Sequence, residues 1–246
     1  MQSYTDITAT NPQSDVFNNG SAEFPAGTGT VYQVLWCATA RPAEESGGTK
    51  GSAIDKMIRT NTNCYMRGLK ERLEIKTNSP LSWQWRRICF TVKGDTLNFG
   101  NTDPSTSEVA RQISSGMQRL QTIDDGTISR AADLVFKGTN GADWTNHFIA
   151  PIDKTRVTVY SDTTRVIRSG NGQGTIQMYK RWYPMNKMLY YDDEEAGDQM
   201  NPSMFSVESK AGMGDFYIYD IYYPNGGTST DTLSVDIEAR LYWHEK

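Results

Sequence analysis

The feature that most constrains the fold is the range Tyr65–Gly94, where two stretches of alternating residues flank a polar turn. Before the turn, Leu73 and Ile75 alternate with charged residues, and after it apolar residues occupy every second position of Ile88–Val92. The turn is Thr77–Pro80; its proline cannot donate a hydrogen bond to a sheet, and Asn and Ser favour turns. Alternation with a period of two is typical of half-buried strands. The sequence therefore predicts two β-strands joined by a turn.

Similar strand and turn patterns recur along the chain, whereas helical spacing is seen once. Further strands are predicted at Val31–Cys37, Asp133–Phe136, Trp144–Ile149, Arg156–Ser161, Thr164–Arg168, Thr175–Tyr183, Met188–Tyr191, Asp215–Tyr223 and Leu233–Trp243. The spacing of apolar residues in Glu108–Leu120 predicts one short helix in a long loop. Together these patterns predict an all-β fold, a single jelly-roll β-sandwich of two antiparallel sheets. We expect an N-terminal arm or extended segment over residues 1–30 and the jelly-roll domain over residues 31–246.

Charge is distributed unevenly along the chain. The formal net charge is −4, and no Lys or Arg precedes Arg41, although Asp6, Asp15 and Glu23 do. The chain is therefore not a basic nucleic-acid binder overall, but the near-neutral remainder can still carry one locally basic surface. Thirteen Tyr and six Trp favour extensive contacts between subunits, because these side chains suit surfaces that are buried on assembly.

The cysteines and histidines provide no recognisable ligand set. Cys37, Cys64 and Cys89 lie in or beside apolar strand-like segments, which predicts buried, reduced thiols and an intracellular protein. His147 and His244 are far apart in sequence, so we predict no catalytic site, no metal and no cofactor. The chain begins without the apolar region of a signal peptide, and no stretch reaches the length of a membrane span.

Two predicted strands combine basic and aromatic residues, as surfaces that bind single-stranded nucleic acid do. They are Tyr179–Tyr183 (YKRWY) and Trp83–Arg87 (WQWRR). Cations neutralise phosphates and aromatic rings stack on unpaired bases. The residues predicted to bind nucleic acid are Lys180, Arg181, Trp182, Arg86, Arg87 and Arg168. Strand alternation places Lys180 and Trp182 on one face and Arg181 on the other. For Tyr179–Tyr183, an amphipathic strand with solvated charges is an alternative interpretation. For Trp83–Arg87, the alternative is a strand end whose arginines extend to solvent over a core tryptophan.

Two further polar segments also have more than one interpretation. The acidic run Asp192–Glu195 could bind Ca²⁺, form a solvated loop, or contact a basic patch of a neighbouring subunit. Gly170–Gly174 is rich in glycine, but no helical pattern follows it, so a hairpin turn explains it better than a phosphate-binding loop.

Four blocks of the chain resemble the capsid proteins of genomoviruses, the small circular single-stranded DNA viruses of the gemycircularvirus group. The blocks are CYMRGLKERLEIKTNSPLSWQWRRICFTVKG (64–94), VIRSGNGQGTIQMYKRWYPMNKMLYYDDEEAG (166–197), SKAGMGDFYIYDIYYP (209–224) and LYWHEK (241–246). The resemblance implies a single jelly roll without enzyme activity. It also implies that sixty copies form a T=1 icosahedral shell around viral circular ssDNA. The implied location is the virion, and the host nucleus during assembly.

One departure from the family bears on how DNA would be bound. Family members carry an Arg-rich N-terminal arm that engages DNA, whereas nothing basic precedes Arg41 here. Either an arm precedes this chain, or the inner wall of the shell binds DNA alone. A jelly-roll module that binds glycans or attaches to a host is the alternative function. Particles in solution would favour a capsid protein, and a monomer or small oligomer would favour the module.

Overall fold

The computed structural model describes residues 1–5, 17–27, 29–43, 57–97, 109–113, 116–121, 125–196 and 199–245. Within these ranges it has one helix, α1 at Asp125–Val135. The strands are β1 Ser3–Thr5, β2 Asn18–Asn19, β3 Ala22–Pro25, β4 Tyr32–Cys37, β5 Asn63–Thr77, β6 Trp83–Val92, β7 Arg111–Ile113, β8 Gly116–Gln121, β9 Thr158–Ile167, β10 Thr175–Tyr190, β11 Glu194–Ala196, β12 Gln199–Asn201, β13 Asp215–Pro224 and β14 Thr232–Glu245. The all-β prediction is therefore confirmed.

Two four-stranded antiparallel sheets pack face to face. The strand order is β10-β5-β14-β3 in one, here called the β5 sheet, and β4-β13-β6-β9 in the other, the β6 sheet. Alternate residues of each sheet point into the space between them, where Leu73 and Ile237 of the β5 sheet pack with Trp85 and Tyr222 of the β6 sheet. β3 precedes Val31, so the sandwich takes one strand from the segment interpreted as an arm.

The β6 sheet is buried on its second face as well. Leu35 and Ile88 on this face pack against Val135 and Phe136, at the end of α1, and against the segment 144–157 that follows the helix. Because both faces are covered, nearly every residue of β6 and β13 is buried, and neither strand has an exposed polar face.

A third four-stranded sheet, of order β2-β1-β8-β7, lies beside the sandwich, and β11 and β12 form a separate pair. The prediction of two sheets was therefore wrong, as was the helix at Glu108–Leu120. Residues 111–113 and 116–120 of that range lie in β7 and β8, and Glu108 itself lies outside the described residues. Every residue of β8 is buried, so alternation is lost, and the spacing of Met117 and Leu120 resembles a helical repeat by coincidence.

Two shorter strand predictions were wrong. Most of Asp133–Phe136 belongs to α1, and only Phe136 makes an isolated bridge, to Ile152. Trp144–Ile149 forms turns, in which the carbonyl of Asn146 accepts a hydrogen bond from the Ala150 amide at 3.0 Å. A short apolar run fits a helix, a strand or a packed loop equally well, so local pattern alone could not separate these outcomes.

The predicted turn after β5 and the segment interpreted as a hairpin turn both connect different sheets. The chain crosses from the β5 sheet to the β6 sheet at residues 78–82, and it crosses back at residues 168–174, so Gly170–Gly174 closes no hairpin. Thr175–Tyr183 and Met188–Tyr191, predicted as two strands, mostly form the single strand β10. An irregularity between Pro184 and Lys187 interrupts its pairing with β5.

Candidate nucleic-acid interface

The outer face of the β5 sheet brings basic and aromatic side chains together at the surface. Lys180 and Trp182 both point outward from β10, and 51% of the Trp182 side chain is exposed. Arg181 is half-buried, and its guanidinium carbon lies 5.7 Å from the centre of the Tyr179 ring. The predicted division of these three residues between two faces is therefore confirmed.

Strand register places further exposed side chains next to Lys180 and Trp182. Across β10, β5 and β14, the rows are Lys180–Arg72–Glu238, Trp182–Lys70–Arg240 and Pro184–Gly68–Tyr242. We call the surface formed by seven of these exposed side chains the aromatic–basic face. Its members are Lys70, Arg72, Lys180, Trp182, Glu238, Arg240 and Tyr242. The sequence analysis identified only two of the seven, because the others come from strands whose register the sequence did not supply.

The Trp182 ring is held in place by its neighbours while half of the side chain stays exposed. It meets the Tyr242 ring edge to face, with 5.8 Å between ring centres. On its other flank it lies over Gly68, where a Cβ atom would stand 2.7 Å from Cζ2 of the indole. The absence of a side chain at Gly68 therefore makes room for the ring.

The four cations of the aromatic–basic face are available to a ligand. Among the described residues, the side chains of Lys70, Arg72, Lys180 and Arg240 have no hydrogen-bond or ion-pair partner, and Glu238 is the one carboxylate of the face. A small pocket of about 30 Å³ lies between Lys70, Arg72, Glu238 and Arg240, with Glu71 also at its wall. The positive charge is local, because the next rows of the sheet contain Asp236 and a Lys76–Glu74 ion pair.

Arg87 is not part of this surface, although it was predicted to bind nucleic acid. Its side chain is buried between the two sheets, where it donates hydrogen bonds to Asp220 at 2.6 and 2.7 Å and to Glu71 at 2.8 Å. The neighbouring Trp85 is also buried and donates to Asp220 at 2.7 Å. A guanidinium enclosed by two carboxylates in the interior cannot reach a ligand.

Arg86 is also buried, on the opposite face of the β6 sheet. It donates to Asp162 at 2.8 and 3.0 Å, and to the carbonyls of His147 and Ala150 at 2.6 and 2.9 Å. Its role in this chain is to anchor the segment that covers the sheet. Arg168 is exposed, but it lies in the loop between β9 and β10 and so outside the aromatic–basic face.

In the acidic run Asp192–Glu195, the side chain of Asp193 makes hydrogen bonds within the chain. Asp193 accepts hydrogen bonds from Arg59 at 2.6 Å and from Thr62 at 2.7 Å. Burial alone would raise the pKa of Asp193, but these hydrogen bonds outweigh it and the pKa lies below its ordinary value. Over the described part of the chain, no group of three or more His, Cys, Asp or Glu side chains is placed to hold a metal ion.

The two histidines lie in different surroundings. His147 packs edge to face against Trp144 and Phe136, and burial together with Arg86 lowers its pKa. His244 is exposed near the end of β14. Within the described ranges, no helix has the length and apolar character needed to cross a membrane.

No protein-family model matches this chain, and no curated protein matches it in sequence at a significant level. The assignment of a function therefore depends on the strand connectivity, on the aromatic–basic face and on the resemblance of the four sequence blocks.

Proposed function

We propose that this chain is a viral coat protein. Copies of it assemble into a small T=1 icosahedral shell that encloses circular single-stranded DNA, in the virion and first in the host nucleus. The proposal includes no catalytic step and no cofactor. The observation that carries it is the nested pairing of the eight strands that form the two facing sheets.

In chain order, these eight strands are β3, β4, β5, β6, β9, β10, β13 and β14. The first pairs with the last, the second with the seventh, the third with the sixth and the fourth with the fifth, and every pair is antiparallel. Winding a long antiparallel ribbon into a sandwich produces this nesting, which is the expected connectivity of a jelly roll. Eight-stranded jelly rolls are common in viral capsids and in lectins, so the pairing supports the proposal.

The positions of the resembling blocks also support the proposal. Residues 64–94 cover β5 except its first residue and all of β6, residues 166–197 contain the whole of β10, and residues 209–224 contain β13. The last block, residues 241–246, reaches the end of β14. The resemblance therefore covers central strands of both sheets and includes no strand of the third sheet.

The test of the proposal is particle formation by the purified chain. We expect negative-stain images to contain uniform closed shells, and we expect DNA extracted from shells made in cells to be single-stranded and protected from nuclease. A monodisperse monomer at high concentration in every salt condition would overturn the proposal. Binding to glycans by such a monomer would support the alternative, a host-attachment module.

A further inference from the structure

We propose that the aromatic–basic face is a nucleotide site that prefers single-stranded to duplex nucleic acid. An unpaired base stacks on Trp182, and the adjoining phosphate binds between Lys70, Arg72 and Arg240. The inference rests on the proposed function, because the single-stranded DNA inside a shell is the ligand that would meet this face. It goes further by naming the surface, the role of each side chain and the preference for unpaired bases.

The stacking part of the site is preformed. Gly68 and Tyr242 fix the Trp182 ring from two sides, so little side-chain freedom remains to be lost when a base binds. Tyr242 is itself 41% exposed and can contact the same base or the next one. An ordered, half-exposed indole surrounded by cations is the arrangement with which single-strand-binding proteins hold bases.

The cations of the phosphate part come from β5 and β14, the two strands that follow β10 across the sheet. Lys70 pairs directly with Trp182 in the register of β10 and β5, and Arg240 pairs with Lys70 on the next strand. Neighbouring strands are separated by about 4.8 Å, so a base on Trp182 places its phosphate within reach of both cations. Arg72 lies two residues further along β5 and borders the same pocket, whose remaining charged neighbour at the surface is Glu238.

The preference for single strands follows from the chemistry of the two parts. The faces of paired bases are covered by their neighbours in a duplex, so a duplex can contact only the cations of this surface. An unpaired base can use the indole as well. The strand preference therefore depends on Trp182, whereas the dependence of binding on salt comes from the cations, which release counterions from the phosphates they contact.

The experiment measures binding of fluorescent oligothymidylate, and of a duplex of equal length, to the full chain under conditions in which it is unassembled. The stacking variant is Trp182→Ala, and its matched control is Ile176→Ala, which removes another exposed apolar side chain from the same face of β10. The phosphate variant is Lys70→Gln with Arg240→Gln, and its control is the exposed Lys154→Gln in the loop before β9.

We expect Trp182→Ala to weaken single-strand binding about 5- to 150-fold, the usual range when one stacking ring is removed, and to leave duplex binding unchanged. The Lys70→Gln, Arg240→Gln variant should weaken binding of both ligands. In a plot of log affinity against log salt concentration, the slope for the single strand is negative. Its magnitude should decrease by about 0.7 for each phosphate that the variant no longer neutralises. Both controls should bind like the unaltered chain.

Particle assembly is scored separately for every variant, so failure of the site is distinguishable from failure of the coat-protein proposal. If the variants form particles and both bind the oligonucleotide as the unaltered chain does, the proposed nucleotide site is wrong, whereas the coat-protein proposal is unaffected. Equal loss of single-strand and duplex binding in Trp182→Ala would overturn the strand preference. Absence of both particles and oligonucleotide binding in the unaltered chain would overturn both proposals.

Discussion

Glu71 on β5 and Arg87 on β6 form an ion pair across the interior between the two facing sheets, with 2.8 Å between Oε2 and Nη1. Arg119 on β8 donates to the other oxygen of Glu71 at 2.5 Å, and Asp220 on β13 accepts from both arginines. All four side chains are almost completely buried. Two cations and two anions therefore balance in one enclosed cluster that connects all three four-stranded sheets.

The first prediction concerns this cluster. Removing one charge leaves a net buried charge, so we expect Glu71→Gln to lower the free energy of unfolding by about 3–5 kcal/mol. The measurement is the urea midpoint of the unassembled chain. The control is Glu74→Gln on the same strand, whose ion pair with Lys76 lies at the surface, where water screens it, so its loss should have a much smaller effect. Equal effects of the two substitutions would contradict the prediction.

The second prediction is a pH dependence of stability that originates at Asp215. This carboxylate is buried and accepts hydrogen bonds from Thr39 Oγ1 at 2.9 Å and from the Ser206 amide at 2.6 Å. Burial raises its pKa to about 6 in spite of these bonds. A raised pKa means that the folded chain binds the proton more tightly than the unfolded chain does. The resulting stability is present at low pH and is lost as pH rises through about 6.

Comparison with Asp215→Asn isolates this effect, because the amide does not titrate. From about pH 7.5 to about pH 5, the free energy of unfolding of the unaltered chain should rise by about 1 kcal/mol relative to the variant. The measurement is the difference between the two urea midpoints across this range of pH. A difference that does not change with pH, or that changes in the opposite direction, would show that Asp215 titrates normally.

How much the sequence could predict is clearest in β5 and β14, where buried and exposed residues alternate over most of the strand. Each is long and regular enough for its pattern to outweigh local ambiguity. The helix prediction at Glu108–Leu120 was wrong because β8 is buried on both faces, and burial on both faces removes the alternation by which a strand is recognised. β1 and β2 of the third sheet were missed because they have only three and two residues and lie in the polar segment interpreted as an arm.

The candidate site was predicted in part, for a different physical reason. Alternation within β10 was enough to place Lys180 and Trp182 together, but register alone brings in Lys70, Arg240 and their neighbours. The burial of Arg87 did have a sequence signal. Glu71 occupies an inward position of β5, where apolar residues would otherwise alternate, and a charge at such a position indicates a buried partner.

The third prediction is that the thiols are inert in the folded chain. Burial raises the pKa of Cys64 to about 11 and that of Cys89 to about 12, and it raises the pKa of Cys37 further. The thiolate is the reactive form, so a thiol reagent near pH 8 should label none of the three quickly, and all three after denaturation. Ser209→Cys supplies an exposed thiol as the positive control. Rapid labelling of a native cysteine would contradict the prediction.

The last prediction separates the two basic residues of β10 in particles. Lys180 points outward on the aromatic–basic face, whereas Arg181 points to the other side and contacts Tyr179. Lys180→Glu should therefore reduce the DNA packaged per particle, because it places a negative charge beside Trp182. Arg181→Glu should have a smaller effect.

The measurement is the ratio of nucleic-acid to protein absorbance of purified shells, restricted to variants that still assemble. Since the two substitutions change the net charge equally and occupy neighbouring positions, a general loss of positive charge would reduce packaging by the same amount in both. A larger loss in Lys180→Glu therefore depends on which face of the strand meets DNA. Packaging at the unaltered level by both variants would show that β10 does not contact the DNA, and an equal loss in both would assign the effect to net charge.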